Sequence, residues 1–238
     1  MDDEMTAATI GIGLMAKPPR PGIAKTRLAA GIGDGPAAVL AGAFLRDSAG
    51  AVAAAAGLTA LAASVFFRPA DAAAELAAVI GQDWPLVPCD HGELGATMWS
   101  ALTQLLARHP AGAMVMGTDL PLLAPEVLVA AAGILRHGGA RDVVIIPSPD
   151  GGYGLIGVTS EAAAPLFAPM AWSTAGVLAE TLRRATANGL CVHILPEQND
   201  IDDAADLAWL RSALAAAPEA APATRAALAR LDGDIGHG

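Results

Sequence analysis

Cysteine is almost missing from this chain: 238 residues include only Cys89 and Cys191, far apart and without CxxC spacing. That excludes a disulfide framework and a zinc cluster of cysteine-pair type, and both read as buried free thiols. Basic residues are few as well, 14 Lys and Arg against 24 Asp and Glu, for a net charge of −10. Such a balance repels a polyanion, so nucleic acid is not an expected partner. Long apolar runs are lacking too. The hydrophobic fraction is 54%, much of it alanine. Charged, Gly or Pro residues break each apolar run short of the ~20 residues a spanning helix needs. Met1–Thr6 is acidic and leads into a short apolar strand, unlike a signal peptide. A soluble, cytoplasmic protein with no membrane partner is expected. His91, His109, His137, His193 and His237 show no HxxH or HExxH spacing, and Ser173 lacks a GxSxG context. A zinc site, a histidine-based triad and a serine nucleophile therefore have little support.

What is present is an alternation. Thr9–Met15, Leu61–Phe67, Gly112–Gly117, Asp142–Pro147 and Leu190–Leu195 read as strands. Ala37–Ala56, Ala70–Ile80, Leu94–Arg108, Pro125–Arg136 and Ser173–Asn188 read as helices, the last with Ser173-Thr174 as its N-cap and Asn188-Gly189 as its stop. This pattern implies an α/β fold, a three-layer sandwich whose mostly parallel central sheet binds ligands at the carboxyl ends of its strands. Residues 1–213 read as one nucleotide-binding domain. From 214 to 238 an Ala/Pro-rich stretch suggests a short helix and a frayed tail.

Two phosphate motifs nearly appear and fail. Gly11-Ile-Gly13-Leu-Met-Ala16 runs into prolines and does not open a helix, so it is strand. Lys25-Thr26 lacks the glycines of a Walker A loop. Between them lies a proline-stiffened loop with four cations, Lys17, Arg20, Lys25 and Arg27, in eleven residues. A stiff loop after a first strand can aim cations at a polyphosphate, whereas a basic loop with no such task is merely solvated. Asp119 ends another strand. It either holds Mg²⁺ or Mn²⁺ between nucleotide phosphates or caps the following turn. In Asn199-Asp200-Ile201-Asp202-Asp203 one acid, Asp203 or Asp202, is expected to cap a helix beginning near Ala204, leaving another for the metal. Asp150-Gly151-Gly152-Tyr153 suits a hairpin turn whose glycines allow close approach to a ligand, with Asp150 facing the site. Trp172-Ser173-Thr174 is either a seat for an anionic or sugar group at a helix start or ordinary packing and capping. Gly92-Glu-Leu-Gly95 offers backbone groups that could read a base.

In content and order, the segments Ala16–Leu28, Gly92–Gly95, Gly117–Pro121, Asp150–Gly157, Trp172–Thr174 and Asp200–Asp202 resemble one bacterial family of the GT-A fold. That family is labelled glycosyltransferase and linked in some members to arsenosugar biosynthesis; its superfamily, the nucleotide-diphospho-sugar transferases, includes the molybdenum-cofactor and 2-phospholactate guanylyltransferases. The resemblance spans about Ile10 to Leu210. It implies Asp119 and Asp202 as metal ligands, and Lys17, Lys25 and Arg27 as the phosphate loop. Leu120-Pro-Leu122 looks more like the guanylyltransferases, Asp150-Gly-Gly-Tyr153 more like the glycosyltransferase-labelled family.

The expected function is divalent-metal-dependent transfer from a nucleotide-diphospho-sugar to a small-molecule acceptor, by a monomer or homodimer. Lys25, Asp119 and Asp150 are the expected catalytic residues; Lys17, Lys25, Arg27, Gly92 and Gly95 bind the nucleotide. Gly151, Gly152, Tyr153, Trp172, Ser173 and Thr174 bind the acceptor. Two rivals stay open: nucleotidyl transfer of guanylyl or cytidylyl type, which releases pyrophosphate, and nucleotide binding without catalysis.

Overall fold

The computed structural model describes residues 8–89 and 92–235, with side chains to 233. The acidic start, His91 and His237 lie outside the described residues. In chain order the elements are β1 (Ile10–Ala16), α1 (Thr26–Ile32), α2 (Asp34–Leu58), β2 (Leu61–Phe67), a 3₁₀ turn (Ala70–Ala72) leading into α3 (Ala73–Ile80), β3 (Leu86–Pro88), α4 (Leu94–Arg108), β4 (Ala113–Gly117) and α5 (Pro125–His137). There follow β5 (Asp142–Pro147), β6 (Tyr153–Val158), a 3₁₀ segment (Glu161–Phe167), α6 (Val177–Ala187), β7 (Cys191–Ile194), α7 (Ala204–Ala216) and α8 (Pro222–Ile235).

The seven strands run in the order β3-β2-β1-β4-β6-β5-β7, and only β6 lies antiparallel to its neighbours. From β1 the chain builds first toward β2 and β3, then returns to place β4 on the other side. That reversal leaves a crevice at the carboxyl ends of β1 and β4, where sheets of this type hold ligands.

The pleat explains the layers. Ile10, Ile12 and Leu14 of β1 are fully buried against α2, α3 and α5. On the opposite face, Gly11 and Gly13 leave room for Leu105 of α4 and Phe66 of β2, so the rejected GxGxxA run is a packing feature.

Helix α2 is apolar on two sides because it is buried on two sides. Leu45, Ala49 and Val52 face the sheet, whereas Leu40 and Phe44 face an outer cluster with Leu28, Ile201, Leu210 and Leu228. Its length and mean hydropathy of 1.3 would suit a membrane span, but 56% of that stretch is buried within the protein. The helix is long and apolar on average, although Gly42, Arg46, Asp47 and Gly50 interrupt it.

The C-terminal segment is tied down by a buried carboxylate. Asp47 of α2 is 9% exposed and accepts hydrogen bonds from the amides of Ala223 and Thr224 and from the Thr224 hydroxyl, at 2.9, 2.8 and 2.6 Å. It thereby satisfies the open amides at the start of α8. Arg225 donates back to the carbonyls of Leu214 and Ala217 at the end of α7 and of Ala220 in the turn that follows.

Two local expectations need correction. Helix α6 begins at Val177 with Gly176 as its cap, and the Thr174 hydroxyl donates to the Ala171 carbonyl, so Ser173-Thr174 is a turn and not an N-cap. Cys89 is buried but Cys191 is exposed, because β7 is the sheet's edge. The Asp150–Gly152 turn does join a hairpin, β5 to β6.

Candidate functional site

Lys17 leaves the end of β1 and Asp119 the end of β4, so neighbouring parallel strands deliver a cation and a carboxylate to one rim. Lys25, at the start of α1, adopts a left-handed backbone (φ 52°). Its ammonium, 13% exposed, lies between two carboxylates, 2.8 Å from Asp119 Oδ2 and 2.6 Å from Asp202 Oδ1. Asp119 and Asp202 together outweigh the desolvation and hold Lys25 above the ordinary lysine range. Arg27 donates to the other Asp202 oxygen. Lys17 carries the opposite shift, lowered by desolvation and by the nearby Arg68 and Lys25 cations.

Asp200 and Asp202 arrive together because the chain is extended there. Residues i and i+2 point the same way, so the fully buried Ile201 anchors the segment while its flanking acids face the cleft. The Ile201 amide donates to the Asp119 carbonyl at 3.1 Å, which fixes the segment against the end of β4. Asp203 caps α7 in a capping box with Asp206, and Asp202 stays in the cleft. Asp150, Asp200 and Asp202 each bring an oxygen within 4.8 Å of the others. Desolvation, then the fields of Asp119, Asp150 and Asp202, push the Asp200 carboxyl up to about 7. Asp200 was visible in the acidic run but not singled out; the signal was its i, i+2 spacing from Asp202 around an apolar residue.

Two cavities of about 270 and 360 Å³ meet along Lys17, Arg27, Asp119 and Asp202. The first continues over Lys25 and Gly117-Thr118. The second is walled by Asp150, Gly152, Tyr153, Trp172, Ser173 and Thr174. Burial pushes the Tyr153 phenol up to about 12, so it stays protonated. Trp172 Nε1 is shielded and has no hydrogen-bond partner among the described residues.

Other expected residues have different neighbours. Arg20 turns away from the cleft to Glu75 and Asp71, so it is not aimed at a phosphate. Gly95 is covered by the Trp172 indole, which a Cβ would meet at 2.4 Å. The Gly92 carbonyl accepts from Arg68. Gly151 (φ 86°) lies beneath the backbone of Ala175, whose carbonyl a Cβ would meet at 2.2 Å; the close approach is to the chain itself and not to a ligand. Asp119 sits outside the Asp150/Asp200/Asp202 trio and is paired with Lys25.

The trio is a fitting donor set for a hard divalent cation, which takes carboxylate oxygens and retains part of its water shell. The paired excess of carboxylate over local cation, with Asp200 raised by its neighbours, is the electrostatic setting such an ion relieves.

Comparison with known proteins identifies the family and the fold. Residues 51–174 match the model of the family described as uncharacterized protein conserved in bacteria (DUF2064), and the chain belongs to that family. No curated protein sequence matches it. Among solved structures, a Desulfovibrio desulfuricans G20 protein assigned to the nucleotide-diphospho-sugar transferases is 27% identical, with a TM-score of 0.83 over 94% of this chain and 95% of its own. A nucleotidyl transferase from Methanothermobacter thermautotrophicus is 16% identical (TM-score 0.56; 86% and 96% covered). Glucosyl-3-phosphoglycerate synthase from Mycobacterium tuberculosis, in complex with Mn²⁺ and UDP-glucose, is 15% identical (TM-score 0.55; 90% and 80% covered). The structural neighbours are transferases, and the fold is of the GT-A, nucleotide-diphospho-sugar transferase type.

Proposed function

We propose that this DUF2064 chain is a divalent-metal-dependent glycosyltransferase that moves a sugar from a nucleotide-diphospho-sugar to a small-molecule acceptor. The observation that carries this reading is the junction of the two cavities along a row of opposed charges, Lys17 and Arg27 facing Asp119 and Asp202. One cavity suits the nucleotide and the other the sugar and acceptor, with the diphosphate at their border. The resemblance to the Desulfovibrio protein over nearly the whole chain supports the donor class.

Asp150, Asp200 and Asp202 would hold Mg²⁺ or Mn²⁺, with Asp119 adjacent. When bound, the ion supplies positive charge to the diphosphate oxygens. Lys17 and Arg27 bind the same diphosphate and offset the charge that accumulates as the bond from the sugar's anomeric carbon to the phosphate oxygen breaks. Lys25 holds Asp119 and Asp202 in register. Trp172 and Tyr153 wall the side where the sugar and acceptor sit, and Asp150 accepts the proton of the acceptor hydroxyl as the new C–O bond forms.

Nucleotidyl transfer is the second reading, drawn from the cation-rich loop. Its physical basis is weaker in the folded chain. A triphosphate needs more neutralisation than a diphosphate, yet Arg20 is paired with Glu75 and Lys25 with Asp119 and Asp202. Incubating the protein and Mn²⁺ with separate nucleotide-sugars and acceptors should release a nucleoside diphosphate. Pyrophosphate from a nucleoside triphosphate and acceptor, with no nucleotide-sugar present, would reverse the two readings. Tight nucleotide binding with neither product would leave a binding protein.

A further inference from the structure

At the opposite end of the sheet from the cleft, three unlike donors converge. Cys191 and His193 lie two residues apart on β7 and so share a face, and Asp142 begins β5 directly across from Cys191 in the parallel register. The Cys191 sulfur is 3.7 Å from His193 Nε2, and that same nitrogen is 3.5 Å from Asp142 Oδ1. All three donor atoms lie within 4.8 Å of one another. Sequence rules for zinc ligands look for helical or knuckle spacing, and Cys-Val-His fits neither; it is the spacing of a strand.

We propose that Asp142, Cys191 and His193 form a second metal site, selective for a borderline divalent ion of the zinc class and separate from the all-carboxylate cleft. A thiol, an imidazole and a carboxylate make up the mixed donor set that such an ion prefers, whereas hard Mg²⁺ does not take sulfur. Bond lengths of about 2.3 Å to sulfur and 2.0–2.2 Å to nitrogen and oxygen in a tetrahedral site put sulfur and nitrogen about 3.5 Å apart, and nitrogen and oxygen about 3.4 Å. The separations in the protein are within a few tenths of an ångström of these.

A Cys-His-Asp nucleophile would need the acid and the thiol on different ring nitrogens. Here both face Nε2, which fits convergence on an ion and not a proton relay. The carboxylate is already oriented, because the Gly139 amide donates to Asp142 Oδ2 at 2.6 Å and leaves Oδ1 toward the histidine. On binding, the Cys191 thiol gives its proton to solvent and its sulfur bonds to the metal, with water in the fourth position. The ion then cross-links the edge strand β7 to β5 at the start of their shared register.

The test is a Co²⁺ titration of the metal-free, reduced full-length protein, followed by absorption. The expected result is a thiolate-to-cobalt charge-transfer band with four-coordinate d–d absorption, saturating at one equivalent and displaced by Zn²⁺. Cys191→Ser removes the band, His193→Gln raises the Co²⁺ concentration that half-saturates it at least tenfold, and Asp200→Asn leaves the band itself unchanged. No charge-transfer band, a band that survives Cys191→Ser and so belongs to Cys89, or indifference to His193→Gln would each overturn the site. Because His193 is half-exposed at the sheet edge, its variant reports on binding even if the cysteine variant folds poorly.

Discussion

Asp47 and Asp200 are two carboxylates drawn out of solvent, and they are treated in opposite ways. Asp47 meets three donors at the start of α8. Asp200 meets three other carboxylates and is pushed up to about 7. A buried acid with all its hydrogen bonds made holds a structure together; one crowded by like charge weakens the fold locally and waits for a cation. The first region serves the architecture, and the second serves the chemistry in the function proposed above.

Removing Asp202 should have the largest effect of four substitutions that probe this contrast. Asp202→Ala takes away a proposed metal ligand and the shared partner of Lys25 and Arg27, and transferase turnover should fall on the order of 10²–10³-fold in a steady-state assay. Retained turnover would remove the cleft from the chemistry. Asp47→Ala should do the reverse. Leaving the amides of Ala223 and Thr224 unpaired should cost about 2–4 kcal/mol in denaturant unfolding, with turnover per folded molecule unchanged.

A smaller effect follows from pH. The folded carboxyl of Asp200 titrates near 7 against an ordinary value of 3.8. Between those values the folded state holds more protons than the unfolded one, so its stabilising contribution is full below about 4 and is lost as pH rises through 7. In excess EDTA, Asp200→Asn should therefore gain about 1–2 kcal/mol over the parent at pH 8 and nothing at pH 4. An equal difference at both pH values would contradict the crowding. Least affected should be Arg20→Ala, whose ion pairs are on the surface and outside the cleft: a melting shift of about 2 °C or less and unchanged turnover.

The chain's alternation of strand and helix was readable because buried parallel strands and amphipathic helices carry strong periodicity, and the strand-end positions of Lys17 and Asp119 followed from it. Strand β6 was hidden behind the Asp150–Gly152 turn, its two glycines depressing any strand signal. The α8 anchor was unreadable, since nothing in an Ala/Pro-rich segment announces an acceptor 176 residues earlier. In the cleft, residue types and strand ends sufficed to expect Lys17, Lys25, Asp119 and Asp202 at one sheet edge, where they meet, but not to choose their partners. That Arg20 pairs with Glu75, that Trp172 lies on Gly95 and that Asp200 joins Asp150 all depend on how separate elements meet.

In the proposed function a nucleoside diphosphate and a divalent ion share the cleft between β1 and β4. This is tested most directly by thermal unfolding against a panel of nucleotides and nucleotide-sugars, with and without Mn²⁺, in the parent and in Asp202→Ala. Ligands that bind the folded state raise its melting point by mass action. The prediction is that at least one nucleotide-diphospho-sugar stabilises the parent only when Mn²⁺ is present, and that Asp202→Ala abolishes the shift. Stabilisation that needs no metal, or that persists in Asp202→Ala, would contradict it.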